Sequence, residues 1–280
     1  MKIKIITDSL SDIPRELAHE YDISIIPLTV RFGTKEFKDG IDIKPQEFYE
    51  MLKESHEIPS TSQVSPNEFK KAIKEALNSG YERIIIINGS SKVSGTYQSA
   101  LLAKKDIGTN NIYVFDSRCL SYGLGMIVLE AAKMAKQKKS FEEIIEKIKE
   151  MIKGAQQIFS VDTLEYLHRN GRLSTAKMVL GTLLNVKPIL AIIDGVVEPI
   201  DKVRGTKKLY KSLIDICIKR GLKTGSKIGL GHSANIEGVK RLKEMIEKEL
   251  RPSEIVVIDI GCTIGSHTGL GTLAIFFIAE

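Results

Sequence analysis

The chain has 280 residues, of which 42% are hydrophobic and 27% are charged, an ordinary globular composition with room for two domains. No apolar run approaches the roughly 18 residues of a membrane-spanning helix. The opening K-I-K-I-I-T is typical of a strand and not of a signal peptide. The three cysteines are far apart and have neither metal-binding nor disulfide spacing. We therefore expect a cytoplasmic protein with reduced thiols and with neither metal nor cofactor.

The net charge of +6 is unevenly distributed along the chain. Residues 1–157 carry 23 Lys and Arg against 22 Asp and Glu, whereas residues 158–280 carry 18 against 13. A basic half can attract an anionic ligand, an acidic partner or nucleic acid. Because the lysines are scattered and no basic run is interleaved with aromatic residues, we expect no nucleic-acid partner.

Strand and helix patterns alternate through the first half. Strands are predicted at 2–7, 23–31, 83–88, 111–115 and 156–161. Helices are predicted from near Asp12, after Lys44-Pro45, from Ser65-Pro66 towards Gly80, from near Ser94, over 121–139 and over 140–153. Such alternation, with unbroken β-branched strands, predicts a parallel sheet that is covered by helices on both faces. Between the second strand and the next helix, F-G-T-K-E-F-K-D-G predicts a turn or short hairpin.

The second half has a different pattern. Asp194-Gly195 separates the apolar runs K-P-I-L-A-I-I and V-V-E-P-I and predicts a β-hairpin. The other predicted elements are a helix after D-T-L-E-Y-L-H-R-N-G-R-L, helices at 205–220 and 236–250, and strands at 226–231, 254–259 and 273–278. We expect a mixed sheet with helices mainly on one side, and a domain boundary near Gly154 or a few residues later.

Loops rich in small hydroxyl residues and glycine follow the predicted strands. They are T-D-S at 7–9, S-T-S-Q at 60–63, S-S-K-V-S-G-T-Y-Q-S-A at 90–100, D-S at 116–117 and G-C-T-I-G-S-H-T-G-L-G at 261–271. In open α/β sheets, ligands bind beyond the carboxyl ends of the strands. Ser94 and Gly95 would stand at the start of a helix, where backbone N–H groups favour an anion. The same hydroxyl can instead serve only as a helix cap.

No P-loop motif and no G-x-S-x-G nucleophile motif is present, and G-L-G-H-S-A at 229–234 is only part of a dinucleotide fingerprint. The ordered loops do resemble those of the DegV family, fatty-acid-binding proteins that act as lipid-presenting subunits of bacterial fatty acid kinase. The resemblance covers essentially the whole chain. It depends on I-I-T-D-S-L-S-D-I-P, S-T-S-Q-V-S-P, the 90–100 loop, V-F-D-S, L-E-Y-L-H-R-N-G-R-L-S and I-G-S-H-T-G-L-G. In the last motif, Leu270 stands where the family usually has proline.

The resemblance implies a two-domain fold. An N-terminal three-layer α/β/α domain with a mainly parallel sheet would cover 1–157, and a C-terminal two-layer α/β domain with a mixed sheet would cover 158–280. A long-chain fatty acid would lie with its acyl chain buried and its carboxylate in the cleft between them. Carried onto matching positions, the resemblance assigns the carboxylate-binding role to Thr61, Ser62, Ser94 and His267.

The resemblance also implies a partner, an ATP-dependent fatty acid kinase that phosphorylates the bound carboxylate. Arg172 and Arg204 lie in motifs through which the family engages the kinase or the transferred phosphoryl group. On this interpretation the protein itself is a carrier and not an enzyme, with transient contact at a membrane surface allowed. Candidate walls of the acyl tunnel are Ile26, Leu28, Ile158, Phe159, Phe276 and Phe277, each of which also suits an ordinary core.

Other interpretations of the same residues stay open at this point. Ser94 with His267 could form the nucleophile and base of an esterase or thioesterase, or the chain could be a phosphotransferase similar to dihydroxyacetone kinase. It could also be an interaction module with an empty cleft. The hydroxyl residues could merely satisfy backbone groups, and both arginines could be surface cations. We interpret Asp8, Ser9, Asp116 and Ser117 as structural support for the loops.

Overall fold

The computed structural model describes residues 1–55, 57–173 and 186–279. The strands of these ranges are β1 (Ile3–Asp8), β2 (Ile23–Ile26), β3 (Thr29–Phe32), β4 (Lys35–Lys38), β5 (Ser60–Ser62), β6 (Arg83–Asn88), β7 (Ile112–Asp116), β8 (Ala155–Ser160), β9 (Val186–Ile193), β10 (Val196–Arg204), β11 (Lys227–His232), β12 (Glu254–Asp259) and β13 (Leu273–Ile278). The helices are α1 (Arg15–Glu20), α2 (Pro45–Glu54), α3 (Pro66–Asn78), α4 (Thr96–Ile107), α5 (Ser121–Lys136), α6 (Phe141–Gly154), α7 (Glu165–Arg169), α8 (Thr206–Lys219), α9 (Ile236–Leu250) and α10 (Cys262–Thr268). The helix predicted after Leu173 lies outside the described residues.

The first sheet has four parallel strands in the order β2-β1-β6-β7. Ile84 to Ile87 in β6 are all fully buried, because helices pack against the sheet and leave neither face of this strand to solvent. Helix α3 packs on α4, and α5 packs on α6. The α/β class with a parallel sheet, predicted from the alternating pattern, is confirmed.

The second sheet has six strands in the order β10-β9-β8-β13-β11-β12. It is mixed: β11 and β12 are parallel, and the other neighbours are antiparallel. Asp194-Gly195 forms the turn between β9 and β10, with positive φ at both residues, as a type I′ hairpin turn requires. The predicted mixed sheet and hairpin are therefore confirmed.

The central strands β8 and β13 have two apolar faces. Residues that alternate along them, Ile158 on β8 and Ile275 and Phe277 on β13, are buried in a core shared with α8 and α9. Their neighbours in the chain, Phe159 and Phe276, belong to the other core, which continues into the first half of the chain. One face of the pair is thus covered by helices, and the other is available to form the wall of a cavity.

Three predictions were wrong at the level of single elements. The strand predicted over 23–31 is split into β2 and β3, in different sheets, at Pro27, which has no N–H for a strand ladder. S-T-S-Q was predicted as a loop, but Ser60–Ser62 is β5 and pairs with β3. The segment 261–271 was also predicted as a loop, but its middle part is the buried helix α10.

The division into domains at 157/158 stays a prediction. Strand β8 begins at Ala155, within the segment in which a boundary was predicted, and all of it pairs within the six-stranded sheet. The small third sheet, β4-β3-β5, packs against α10 from the end of the chain. Elements from the first half of the chain and from its C-terminal part are therefore in contact around α10.

Asp39 holds the N-terminus of α10. Its Oδ1 accepts the N–H of Cys262 at 3.2 Å, and its Oδ2 accepts the N–H and the hydroxyl of Thr263 at 3.1 and 2.5 Å. Asp39 is only 6% exposed, so water does not replace these bonds. A carboxylate at this position satisfies N–H groups that the helix leaves unpaired and complements its dipole. The loop after β4 thereby fixes the helix that carries His267.

We expect Asp39→Ala to lower the free energy of unfolding by about 2–3 kcal/mol, because it leaves buried donors without an acceptor. Urea denaturation measures this loss. Asp42→Ala is the matched control in the same loop, since the carboxylate of Asp42 accepts an exposed backbone N–H, that of Lys38, and no other hydrogen bond from the described residues. Equal stability of the Asp39→Ala and Asp42→Ala variants would contradict the role of Asp39 in holding α10.

Candidate functional site: a buried cavity with one polar end

A cavity of about 350 Å³ lies between the two large sheets and α10. Its apolar lining comes from both halves of the chain: Leu10, Leu28, Val93, Leu120, Phe159, Leu167, Ile192, Val197, Ile260, Ile264, Ala274 and Phe276. Its polar lining comprises Thr61, Ser62, Gln63, Ser94, Ser121, Gln157, Arg172, Thr263, His267, Thr268 and Thr272, together with Gly95. The size and largely apolar character are those of a site for a small organic ligand.

Four of the predicted residues and one arginine gather at one end of this cavity, which we call the polar end: Thr61, Ser62, Ser94, His267 and Arg172. Thr61 Oγ1 lies 2.8 Å from Nε2 of His267, so β5 and α10 are joined there by a hydrogen bond. The other ring nitrogen of His267 is buried and has no hydrogen-bond partner among the described residues. The imidazole is therefore oriented by Thr61.

His267 is uncharged at neutral pH. Burial, and to a smaller extent the nearby positive charge of Arg172, together lower the pKa of His267 from 6.5 to about 4. A neutral imidazole has one donor nitrogen and one acceptor nitrogen. The polar end thus offers several hydrogen-bond donors. Among the residues that form it, Arg172 alone has a formal positive charge.

Ser94 lies one residue before the N-cap of α4, which is Gly95. Helix α4 therefore begins slightly later than predicted. Ser94 Oγ accepts the N–H of Thr96 at 3.3 Å and donates to Thr96 Oγ1 at 3.0 Å, so it supports the start of the helix while it lines the cavity. The two roles weighed for this residue from the sequence are compatible.

Arg172 and Arg204 differ in their surroundings. Arg172 donates from Nε to the carbonyl of Val93 at 3.3 Å and from a terminal nitrogen to the carbonyl of Asn170, and its exposed side chain lines the cavity. No carboxylate pairs with it among the described residues. Arg204 ends β10 on the exposed surface and does not line the cavity. The structure thus brings Arg172, but not Arg204, to the polar end.

The β9–β10 hairpin closes one side of the cavity. Ile192 and Val197 are directly paired across the hairpin, and both face the cavity. At its tip, the carbonyl of Gly195 accepts a hydrogen bond of 2.7 Å from Ser90, in the loop that leads to Ser94. The hairpin predicted from Asp194-Gly195 is therefore part of the site.

The predicted tunnel walls are only partly right. Leu28, Phe159 and Phe276 line the cavity, whereas Ile26, Ile158 and Phe277 are buried in the neighbouring cores. Sequence analysis missed the lining residues Gln63, Gln157, Leu120, Ile260 and Ile264. The signal that could have found Gln157 is strand alternation, since Gln157 and Phe159 share a face of β8.

The loop after α10 keeps a defined shape although Leu270 replaces the usual proline. Gly269 and Gly271, on either side of it, both have positive φ, 70° and 80°, which favours glycine at each position. A side chain on Gly269 would meet the ring of Tyr166 at 2.6 Å, and Leu270 itself packs against a small apolar cluster around Phe48. These contacts fix the loop without a proline.

The polar residues interpreted as support do hold loops in place. The carboxylate of Asp8 accepts the N–H groups of Leu10 and Gly89 at 3.0 and 3.2 Å. Asp116 accepts the N–H of Ser91 at 3.1 Å, and Ser9 Oγ accepts the N–H of Leu28 at 3.0 Å. Neither aspartate lines the cavity. Within the described ranges, no group of three or more His, Cys, Asp or Glu side chains is arranged to hold a metal ion.

No helix in the part of the chain that the structure describes has the length and apolarity needed to span a bilayer.

The lowered pKa of His267 predicts acid sensitivity. Between pH 6.5 and 4, His267 is protonated in the unfolded chain but stays neutral in the folded protein. The free energy of unfolding therefore falls as pH falls through this interval, by about 3 kcal/mol in total. Burial raises the pKa of Asp8 from 3.8 to about 6, which has the opposite effect on stability over nearly the same interval.

The contribution of His267 is therefore measured as a difference. We expect the stability gap between the wild-type protein and His267→Asn, from urea denaturation, to shift by about 2–3 kcal/mol in favour of the variant as pH falls from 6.5 to 4. Asp8 is present in both proteins and cancels. A gap that does not change with pH would show that His267 titrates normally.

Comparisons with known proteins match this chain to one family over essentially its whole length. The model of the DegV family of uncharacterised proteins matches residues 2–280. A DegV domain-containing protein of Caldanaerobacter subterraneus subsp. tengcongensis is 42% identical over 277 residues, covering 99% of this chain and 98% of that protein. A solved DegV family protein from Thermus thermophilus, described by its fatty acid binding, has a TM-score of 0.93 at 32% identity, with full coverage of both chains.

DegV of Bacillus subtilis, described as a fatty acid binding protein, has a TM-score of 0.86 at 34% identity, again with 100% of both chains covered. The family match and the identities extend over both halves of the chain, including the motifs that line the polar end. The chain therefore belongs to the DegV family.

Proposed function

We propose that the protein binds a long-chain fatty acid, with the acyl chain in the cavity and the carboxylate at the polar end. The observation that carries this proposal is the lining of the cavity: a largely apolar surface on which hydroxyl, imidazole and guanidinium groups lie next to one another at the polar end. A ligand with one anionic end and a long apolar remainder matches that distribution. The fatty acid binding described for the Thermus thermophilus and Bacillus subtilis relatives supports the same ligand class.

Thr61 is the principal donor in this proposal, with Ser62 beside it. With the proton of His267 on Nε2, the imidazole donates to Thr61 Oγ1, and the threonine hydroxyl is then free to donate to a carboxylate oxygen. Ser94 contributes a second hydroxyl from the start of α4, and its proton turns from Thr96 Oγ1 to the carboxylate when the ligand binds. Each hydroxyl donates a single hydrogen bond to an anion, whereas a guanidinium can bind both oxygens of a carboxylate in a bidentate pair. One carboxylate oxygen stays available for reaction.

Arg172 provides the compensating charge in this arrangement. It has no carboxylate partner among the described residues and lines the cavity near His267. A carboxylate placed there favours the protonated form of His267, so ligand binding raises the lowered pKa of that imidazole. Among the described residues, no other group at the polar end balances the charge of Arg172, so a bound anion supplies that balance.

The second part of the proposal is presentation to a partner. We propose that an ATP-dependent fatty acid kinase phosphorylates the bound carboxylate to give an acyl phosphate, and that this protein is a carrier without catalytic activity of its own. Arg172 is exposed and also lines the cavity, which supports access of a second protein to the carboxylate. Arg204, on the surface and away from the cavity, is proposed to contact that partner.

The alternative of a serine hydrolase has less support. A nucleophile must be hydrogen-bonded to its base, and the base must be oriented by a third group. Here Ser94 bonds to Thr96, while His267 bonds to Thr61 through one nitrogen and to none of the described residues through the other. The geometry gives no activated serine.

Ligand binding is tested first with delipidated protein. We expect Ser94→Ala to weaken palmitate binding by about 10- to 100-fold, the effect of losing a hydrogen bond to a charged group, about 1.5–3 kcal/mol. Isothermal titration calorimetry or native mass spectrometry measures the affinity. Ser91→Ala, in the same loop but bonded to Asp116 and outside the cavity, is the matched control and should bind normally. Unchanged binding by Ser94→Ala would remove Ser94 from the site.

Presentation is tested with ATP and protein loaded with palmitate, and hydroxylamine traps any acyl phosphate. We expect product only when a fatty acid kinase catalytic subunit is added. Arg204→Met should keep palmitate affinity and reduce product formation, whereas Arg172→Met should reduce both. Acyl phosphate formed by the protein alone would overturn the carrier proposal, and full activity of Arg204→Met would remove Arg204 from the partner contact.

A further inference from the structure

The end of the cavity opposite His267 has a defined composition. Strand β13 leads away from the polar end: Thr272, just before the strand, and Ala274 and Phe276 within it alternate along one face of the chain, and all three line the cavity. Thr272 lies against the end of α10, with its hydroxyl 3.3 Å from the carbonyl of Gly269. Phe276 is four residues further, about 13 Å along the strand.

Three other lining residues surround Phe276, and with it they form what we call the far end: Phe276, Gln157, Leu120 and Ile260. Gln157 is the residue of β8 opposite Phe276 in the strand register. Its Oε1 accepts the N–H of Leu120 at 3.0 Å. Phe276 and Ile260 both approach the Cα side of Gly231, within 3.0 and 3.2 Å of the point where a Cβ would stand. Each of the four residues therefore lies next to at least one other of the set.

The ring of Phe276 cannot easily move out of the way. Tyr122 packs on one side of it, edge to face, with ring centroids 6.4 Å apart. On another side the ring lies against β11, where only a glycine at 231 leaves room for it. Gln157 is 3% exposed and bonded to the backbone, so it is equally fixed. The far end is thus a rigid wall and not an adaptable surface.

We propose that Phe276 and Gln157 form the stop that sets the longest acyl chain this cavity accepts. This inference rests on the proposed fatty acid binding. It assigns the specificity to two residues that do not touch the carboxylate. An acyl chain that starts at Thr61 and His267 runs along β13 and ends against the Phe276 ring. A longer chain finds no space there, since neither side chain can retract.

The test is a set of competition experiments with saturated straight-chain acids from dodecanoic to eicosanoic acid, read by native mass spectrometry of delipidated protein. Each additional buried methylene changes affinity about four-fold. We expect Phe276→Ala to raise the affinity for eicosanoic acid relative to tetradecanoic acid at least ten-fold. Gly231→Ala should act in the opposite direction, because its new methyl group pushes the ring towards the cavity.

Phe277→Ala is the matched control. It removes the same side chain from the next position of the same strand, but Phe277 faces the core under α8 and α9. It should destabilise the protein and leave the chain-length profile unchanged. If Phe276→Ala does not fold, Phe276→Leu and Gly231→Ala test the same stop with smaller changes.

The possible failures are distinct. If wild-type protein binds none of the acids, the proposed function is wrong. If the wild type binds but the length profiles of the Phe276 and Gly231 variants match its own, fatty acid binding stands and the stop is located elsewhere. A shift of the profile in Phe277→Ala equal to that in Phe276→Ala would also overturn the inference, since the effect would then be a general loss of packing.

Discussion

The structure depends on the two-faced strand pair β8 and β13. Successive residues of a strand point to opposite faces, so Phe276 and Phe277 belong to different environments although they are adjacent in the chain. One face is covered by α8 and α9 and provides a conventional apolar core. The other face is covered by elements from the first half of the chain together with α10 and the β9–β10 hairpin, and the cavity is the space that this covering does not fill.

The electrostatics of the polar end follow from the same arrangement. α10 lies buried against the small three-stranded sheet, with Asp39 at its N-terminus and His267 near its C-terminus. Deep burial favours the uncharged imidazole, and Arg172 favours it further. The cavity is thus lined by an imidazole, several hydroxyls and one guanidinium. The charge of an anion placed there would be balanced mainly by Arg172. A neutral amphiphile would lack the charge–charge interaction with Arg172 at the polar end.

Much of the fold was predictable because its signals are local. The apolar β-branched runs, the proline near the start of helices and Asp194-Gly195 each specify structure within a few residues. β5 and α10 were not predictable in this way: Ser60–Ser62 is polar and short, and C-T-I-G-S-H-T contains few strong helix formers. Both elements exist because of contacts with β3 and Asp39, which lie far from them in the chain. Similarly, nothing in their motifs separates Arg172 from Arg204, and only the fold shows which one reaches the cavity.

The hydrogen bond between Thr61 and His267 joins residues that are 206 positions apart. Contacts of such long range form late, because the loop between them must be closed before the contact contributes any stabilisation. During synthesis, the first sheet and its helices can fold while the polar end is still missing half of its groups. The polar end of the cavity is therefore completed as one of the last events of folding. A chain that has folded only its first half exposes the apolar residues that would later line the cavity.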